Sequence, residues 1–406
     1  MGDQGPGEGR DGDPDDGVPA ANPFEGIPFL GDLAKMMRGS GTSSWDTARQ
    51  FAVQLASGGM AEPNPDPVER IRLEELVRVA EMRVADLTGL PIARTGGLVR
   101  MVPVTRAEWA RRTIDGWRPL LERLSTALTT ATPPPADASD PLTALLQGFS
   151  SAFGPLLFGM QAGSMVGHLA GRSLGQYDLP IPRPPGDELV VVAPNLNAFG
   201  ADCNLPDVDL RLWLCVSELA THAVLGIPHV RAALDGLLLT YAGSFRVDPT
   251  ALEERLGQLD PADPTGMQQA LGDPATLLGA IESPAQRELK PKLSALVAVV
   301  EGYVDWVVDT VGGQLIANYP MLTEALRRRR VEAGEGDRFV EHLLGLELDQ
   351  AQYERGERFV QGVLDRAGPA GLARLWERED WLPTPAEVDA PGLWLARIDL
   401  PPDPEA

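Results

Sequence analysis

At 406 residues and 43% apolar content, the chain can bury one large core or two smaller ones. A net charge of −23 repels phosphate backbones and argues against nucleic acid as a partner. Cys203 and Cys215 are too few for a disulfide framework or a cysteine-rich metal site, so buried free thiols are expected. No charged segment followed by an apolar run opens the chain, and a cytoplasmic location is the expectation.

Residues 1–20 are rich in Gly, Asp and Pro and are expected to be a disordered acidic tail. Residues 21–400 are read as a single domain. An apolar arm begins at Asn22, and Trp45 to Ala56 reads as a short helix. Pro67 to Leu87 is a helix with proline in its first turn. Leu98 to Pro103 suits a short strand. Thr105 with Glu108 forms a capping box for a helix running to about Thr130. Residues 132–140 are a linker.

Pro141 to Gly171 holds no charged side chain, and glycine recurs every fourth position from Gly159 to Gly175. One reading is a membrane-spanning helix with a small-residue packing face. The other is a buried helix whose glycines admit a second helix. Pro155, Gln161, Ser164 and His168 interrupt the run and no basic cluster flanks it, which favours the buried helix.

Arg172 to Pro185 is a proline-rich loop, and Glu188 to Pro194 is the strongest strand pattern. Asn195 to Pro206 reads as a loop. Helices follow at Ala232 to Tyr241, Lys290 to Val311, Pro320 to Glu332, Asp337 to Leu344, Gln350 to Ala367 and Pro369 to Glu377. Residues 248–274 break repeatedly, and a proline-rich tail runs from Pro383. The run Arg327 to Arg330 is expected on a solvated face. The fold class is therefore mostly α, with strands too few for a doubly wound sheet.

Asp207 to His229 carries the chemistry. Leu210, Leu214, Ser217, Thr221 and Val224 share one helical face. Ser217-Glu218-Leu219-Ala220-Thr221 has the shape of H-E-x-x-H with both histidines replaced. In the intact motif two imidazoles one turn apart bind zinc, and the glutamate acts as base on the metal-bound water. His222 lies one turn from Glu218 but about 100° off that face, where a half-buried, hydrogen-bonded imidazole is expected. Glu301 and Asp305 form another pair one turn apart. No phosphate-binding loop, nucleophile elbow or Ser-His-Asp arrangement is present.

The chain resembles an actinobacterial family of zinc-dependent metalloproteases and provisionally labelled hydrolases, some members of which are associated with biosynthesis of a deazaflavin coenzyme. The resemblance covers nearly everything after residue 20, including NPFEGIPFLGDLAK, GMQAGSMVGHLAGRSLGQYDLPIPRP, RLWLCVSELATHAVLGIPHVR, LVAVVEGYVDWVVD and LARLWERED. It implies a zincin-like helical domain. It also implies that the two zinc-binding histidines fall at Ser217 and Thr221, the catalytic base at Glu218 and a third, acidic ligand at Glu301, in a segment that ends at Asp305. Hydroxyls are poor zinc ligands beside imidazole. The expectation is a degenerate motif with a vestigial metal site, no zinc bound, and Glu218 as base if hydrolysis occurs. The alternatives are a non-catalytic protein holding a peptide or small molecule, and a membrane-associated protein using residues 141–175.

Overall fold

A computed structural model describes residues 44–130, 156, 158–245, 283–332 and 334–400. The expected acidic tail, the arm from Asn22, the linker at 132–140, the broken segment 248–274 and the chain end after residue 400 lie outside these residues. The described part is mostly helical with two short strands.

Helix α1 spans Ser44–Ala56 and α2 spans Pro67–Thr88. In α2 the Asp66 carboxylate accepts the Val68 N–H at 2.9 Å, and Pro67 occupies the first turn. Strand β1 (Arg100–Val104) follows, then α3 (Arg106–Gly116) and α4 (Arg118–Thr130). A single helix to Thr130 was expected, but the chain breaks at Trp117. Pro119 has no N–H to continue a helix and fits the first turn of a new one. Thr105 does cap α3, accepting the Glu108 N–H at 3.1 Å. The Glu108 carboxylate is drawn to Arg111 and Arg112, so the reciprocal half of the capping box is not made.

Helix α5 covers residues 158–170. Its glycine stripe is covered by α1. A Cβ at Gly163 would meet the Ala48 carbonyl and come within 2.8 Å of Phe51 Cβ, and one at Gly167 would come within 2.8 Å of Leu55 Cβ. The described part of the stripe is thus a helix-packing face. No single helix among the described residues is long and apolar enough to cross a membrane. Gly163→Val is expected to destabilise the fold by about 1–3 kcal/mol through overpacking against α1. A wild-type urea midpoint for this variant would contradict the packing.

Strand β2 (Glu188–Val192) pairs in parallel with β1, from Arg100 opposite Glu188 to Val104 opposite Val192. A parallel pair needs a long crossover, and α3 to α5 lie within it. The stretch from Asn195, expected as loop, is mostly helix α6 (Ala193–Asp202). Pro194 fits its first turn. Asn195 is held there by tertiary bonds, donating to the Ala170 and Ser173 carbonyls at 2.9 and 2.7 Å.

Helices α7 (Asp207–Val224) and α8 (Pro228–Gly243) meet at a sharp corner. Helix α9 (Pro284–Leu315) starts before the expected Lys290, because Ser283 and Gln286 form a capping box of 3.2 and 2.9 Å with Pro284 just inside it. After it come α10 (Tyr319–Val331), α11 (Glu335–Leu343) and α12 (Gln350–Ala373), the last kinked at Gly368. The axes of α9 and α12 cross where Gly302 meets Gly356. The proline-rich tail wraps: α13 (Pro385–Asp389) and α14 (Pro391–Ile398) bring Trp394 edge-on to Phe359 at 5.7 Å, with its N–H donated to the Trp381 carbonyl at 2.6 Å.

Candidate functional site

Helix α7 lies between α2 and α9. Its first turn carries Asp207 and Asp209, which suit the positive end of the helix dipole. From Leu214 to Val224 only Ser217 escapes full burial. An amphipathic helix was expected; the observed one is enclosed on nearly every side.

Glu218 is 3% exposed. Its carboxyl faces the loop after α5, where the Tyr177 N–H donates to Oε1 at 3.0 Å and Oε2 at 3.3 Å. Gly175 lies directly against the carboxyl, and a Cβ there would overlap it. Only glycine fits at that position. The Trp109 indole fixes the loop from the other side, donating to the Gly175 carbonyl at 2.7 Å. Burial pushes the Glu218 carboxyl up to about 8, opposed by the Tyr177 N–H and reinforced by the Asp178 charge. It is therefore mostly neutral at pH 7.

Asp178 closes the same loop by accepting the Leu174 and Gly175 N–H groups at 2.9 and 3.2 Å. Its other oxygen takes a 2.6 Å bond from Arg329, which also donates to the Arg172 carbonyl at 2.8 Å. Arg329 belongs to the arginine run, as does Arg330, which forks onto Asp305 at 2.8 and 2.6 Å and stacks 4.1 Å over Tyr353. A solvated face was expected for this run. Two of its four guanidiniums instead turn inward to acids, since α10 packs beside α7 and α9.

Glu301 is partly buried on α9, with its carboxyl pushed up to about 7 by burial and by the Asp305 charge. The Asp178 charge raises both Glu218 and Glu301. Sequence reasoning missed Gly175, Tyr177, Asp178 and Arg329, which carry no motif and meet only through the loop. His222 was expected half-buried. It is 1% exposed, with Nδ1 3.0 Å from the Tyr177 hydroxyl, and burial with the nearby Arg94 charge lowers it to about 4.

These residues do not fit zinc. The Thr221 hydroxyl donates into its own helix, to the Ser217 carbonyl at 3.0 Å. Asp305 is committed to Arg330, and both Glu218 oxygens accept from the loop. Among the described residues no three His, Cys, Asp or Glu side chains are disposed to hold a metal ion. A cavity of about 480 Å³ lies beside these positions, between α7, α9, α10 and α12. Trp213, one turn before Ser217, lines it, as do Asp305, Trp306, Tyr319, Arg327 and Tyr353.

Comparison with solved structures finds a protein from Chloroflexus aurantiacus, described as having a novel fold and provisionally assigned as a hydrolase. It superposes with a TM-score of 0.61 at 26% identity, covering 88% of this chain and 99% of that one. No curated protein matches the chain. The model of the zincin-like metallopeptidase family matches residues 44–395. That match spans α1 to α14, and the chain belongs to the zincin-like metallopeptidase family.

Proposed function

We propose that this chain is a non-catalytic member of its family, a binding protein in which the metal-binding helix has become a brace. The observation that carries the reading is the enclosure of Glu218. A general base must reach water and substrate. This carboxyl is neutral at pH 7, pressed against Gly175 and bonded to the Tyr177 N–H. A raised carboxyl pKa alone would suit acid–base catalysis; the lack of access is what supports the non-catalytic reading. Ser217 and Thr221 offer hydroxyls where a zinc site needs imidazoles. The aromatic and charged cavity beside them has the size of a small-molecule or peptide side-chain pocket.

Elemental analysis of purified protein tests the reading. The natural chain is expected to hold no stoichiometric zinc and to leave peptide substrates intact. A Ser217→His/Thr221→His variant, with the imidazole pair restored, is expected to take up about one zinc per chain. Stoichiometric zinc in the natural chain would overturn the proposal.

A further inference from the structure

The cavity of about 480 Å³ between α7, α9, α10 and α12 carries charges that do not balance. Four carboxylates line it, Asp305, Asp309, Glu354 and Glu357, against two guanidiniums, Arg327 and Arg330. Asp305 and Arg330 neutralise each other through their fork of 2.8 and 2.6 Å. Asp309 accepts the Tyr319 hydroxyl at 2.5 Å, and Glu354 accepts the Gln350 amide at 2.8 Å. Neither of those donors carries a charge. Glu357 is exposed and has no hydrogen-bonding or ionic partner among the described residues. Three carboxylates are thus left against Arg327 alone, a surplus of two negative charges. The surplus is felt along α9: burial pushes the Asp309 and Glu301 carboxyls up, and the Asp305 charge adds to both.

The rest of the wall suits a cation as well. Trp213, Trp306, Tyr319 and Tyr353 line the cavity, and all four are half-buried rather than enclosed. Aromatic faces attract ammonium and guanidinium groups and cover their apolar stems. The wall already holds one guanidinium in this way, since Arg330 lies 4.1 Å over the Tyr353 ring while Asp305 forks onto it. An anionic ligand would add to the surplus of negative charge and a neutral one would leave it uncompensated.

We propose that this cavity takes an organic cation of the guanidinium or amine type, as carried by an arginine or lysine side chain, with Glu354 and Glu357 as its counter-charges and the aromatic wall against its stem. A cavity of this volume accommodates such a group. The assignment rests on the reading of the chain as a binding protein and names the ligand class of that same cavity.

The test is isothermal titration calorimetry of the full chain, at matched ionic strength, with N-acetyl-arginine amide and with N-acetyl-citrulline amide, which keeps the shape and removes the charge. The arginine compound is expected to bind saturably and about tenfold tighter than the citrulline compound. The double variant Glu354→Gln/Glu357→Gln should lose about tenfold in affinity for the arginine compound only. Glu74→Gln/Glu75→Gln, which makes the same charge change on the exposed side of α2, should lose less than about twofold. All four glutamates are exposed, so both variants are expected to fold. Propylguanidine, the side chain alone, separates the sources of the cation: affinity equal to that of the arginine compound identifies a free small molecule, and weaker binding identifies a peptide side chain. No saturable binding of the arginine compound, equal binding of the two amides, or an equal loss in the α2 control overturns the proposal. Zinc content and peptide cleavage, measured on the same preparation, keep the two readings apart. Equal binding of the amides by zinc-free, inactive protein overturns the cationic site alone; stoichiometric zinc with the preference for arginine intact overturns the binding-protein reading alone.

Discussion

Arg211→Met is expected to lower the unfolding free energy by about 3–5 kcal/mol, the cost of leaving a buried charge unpaired. Arg211 and Glu69 have side chains only 3% and 7% exposed. They form a two-pronged pair of 2.7 and 3.0 Å that ties α7 to α2. The Asn197 side-chain amide oxygen Oδ1 accepts a further 2.6 Å bond from the same guanidinium. Removing Arg211 leaves the buried Glu69 carboxylate without its guanidinium partner. The double variant Glu69→Leu/Arg211→Met should recover most of the loss, because no charge is then left buried. Urea unfolding of the two single variants and the double variant gives the coupling. Additive losses in the double variant would show that the pair is not an isolated buried interaction.

Stability should fall as pH rises from about 4.5 to about 8, with Glu218 responsible for much of the slope. Its folded carboxyl is raised above the unfolded value of 4.5, to about 8. The folded state therefore holds the proton more tightly than the unfolded chain. The stabilisation is fully present below the unfolded value and is lost as pH climbs through the folded one. A shift of this size corresponds to a loss on the order of 5 kcal/mol at most. Glu301, raised to about 7 but partly exposed, adds a smaller loss of the same sign. Repulsion at a net charge of −23 acts in the same direction, so the informative measurement is a difference. Glu218→Gln keeps the shape and an acceptor for the Tyr177 N–H but cannot ionise. It should match the natural chain at pH 5 and exceed it at pH 8.5 by about 1–3 kcal/mol. Parallel curves for the two proteins would mean that Glu218 is ionised when folded, and the closed-site reading would lose its main support.

The enclosed carboxyl supports the proposed non-catalytic reading in a second way. Replacing two histidines removes the metal ligands but leaves a charged glutamate in an apolar helix. Here that glutamate is neutralised and turned to a loop whose Gly175 allows the contact and whose Asp178 is tied to Arg329. The cost of burial is offset by backbone N–H groups. The cavity beside Trp213 is not lined by the enclosed Glu218.

The sequence alone determined the helical class and most helix positions, because these follow from periodicity and proline position along one segment. Pro67, Thr105 and the strand at Glu188 were legible for that reason. The early start of α9 was equally local, in Ser283 and Gln286, and was passed over. What no single segment encodes was decided by tertiary structure. Asn195 reads as the start of a loop until the Ala170 and Ser173 carbonyls arrive to bond it. The arginine run reads as solvated until Asp178 and Asp305 face Arg329 and Arg330. Glu218 reads as a retained base until Gly175 and Tyr177 close over it. In each case the deciding partner lies many residues away in the chain, and the burial that sets a side chain's charge and bonding exists only once the helices have packed.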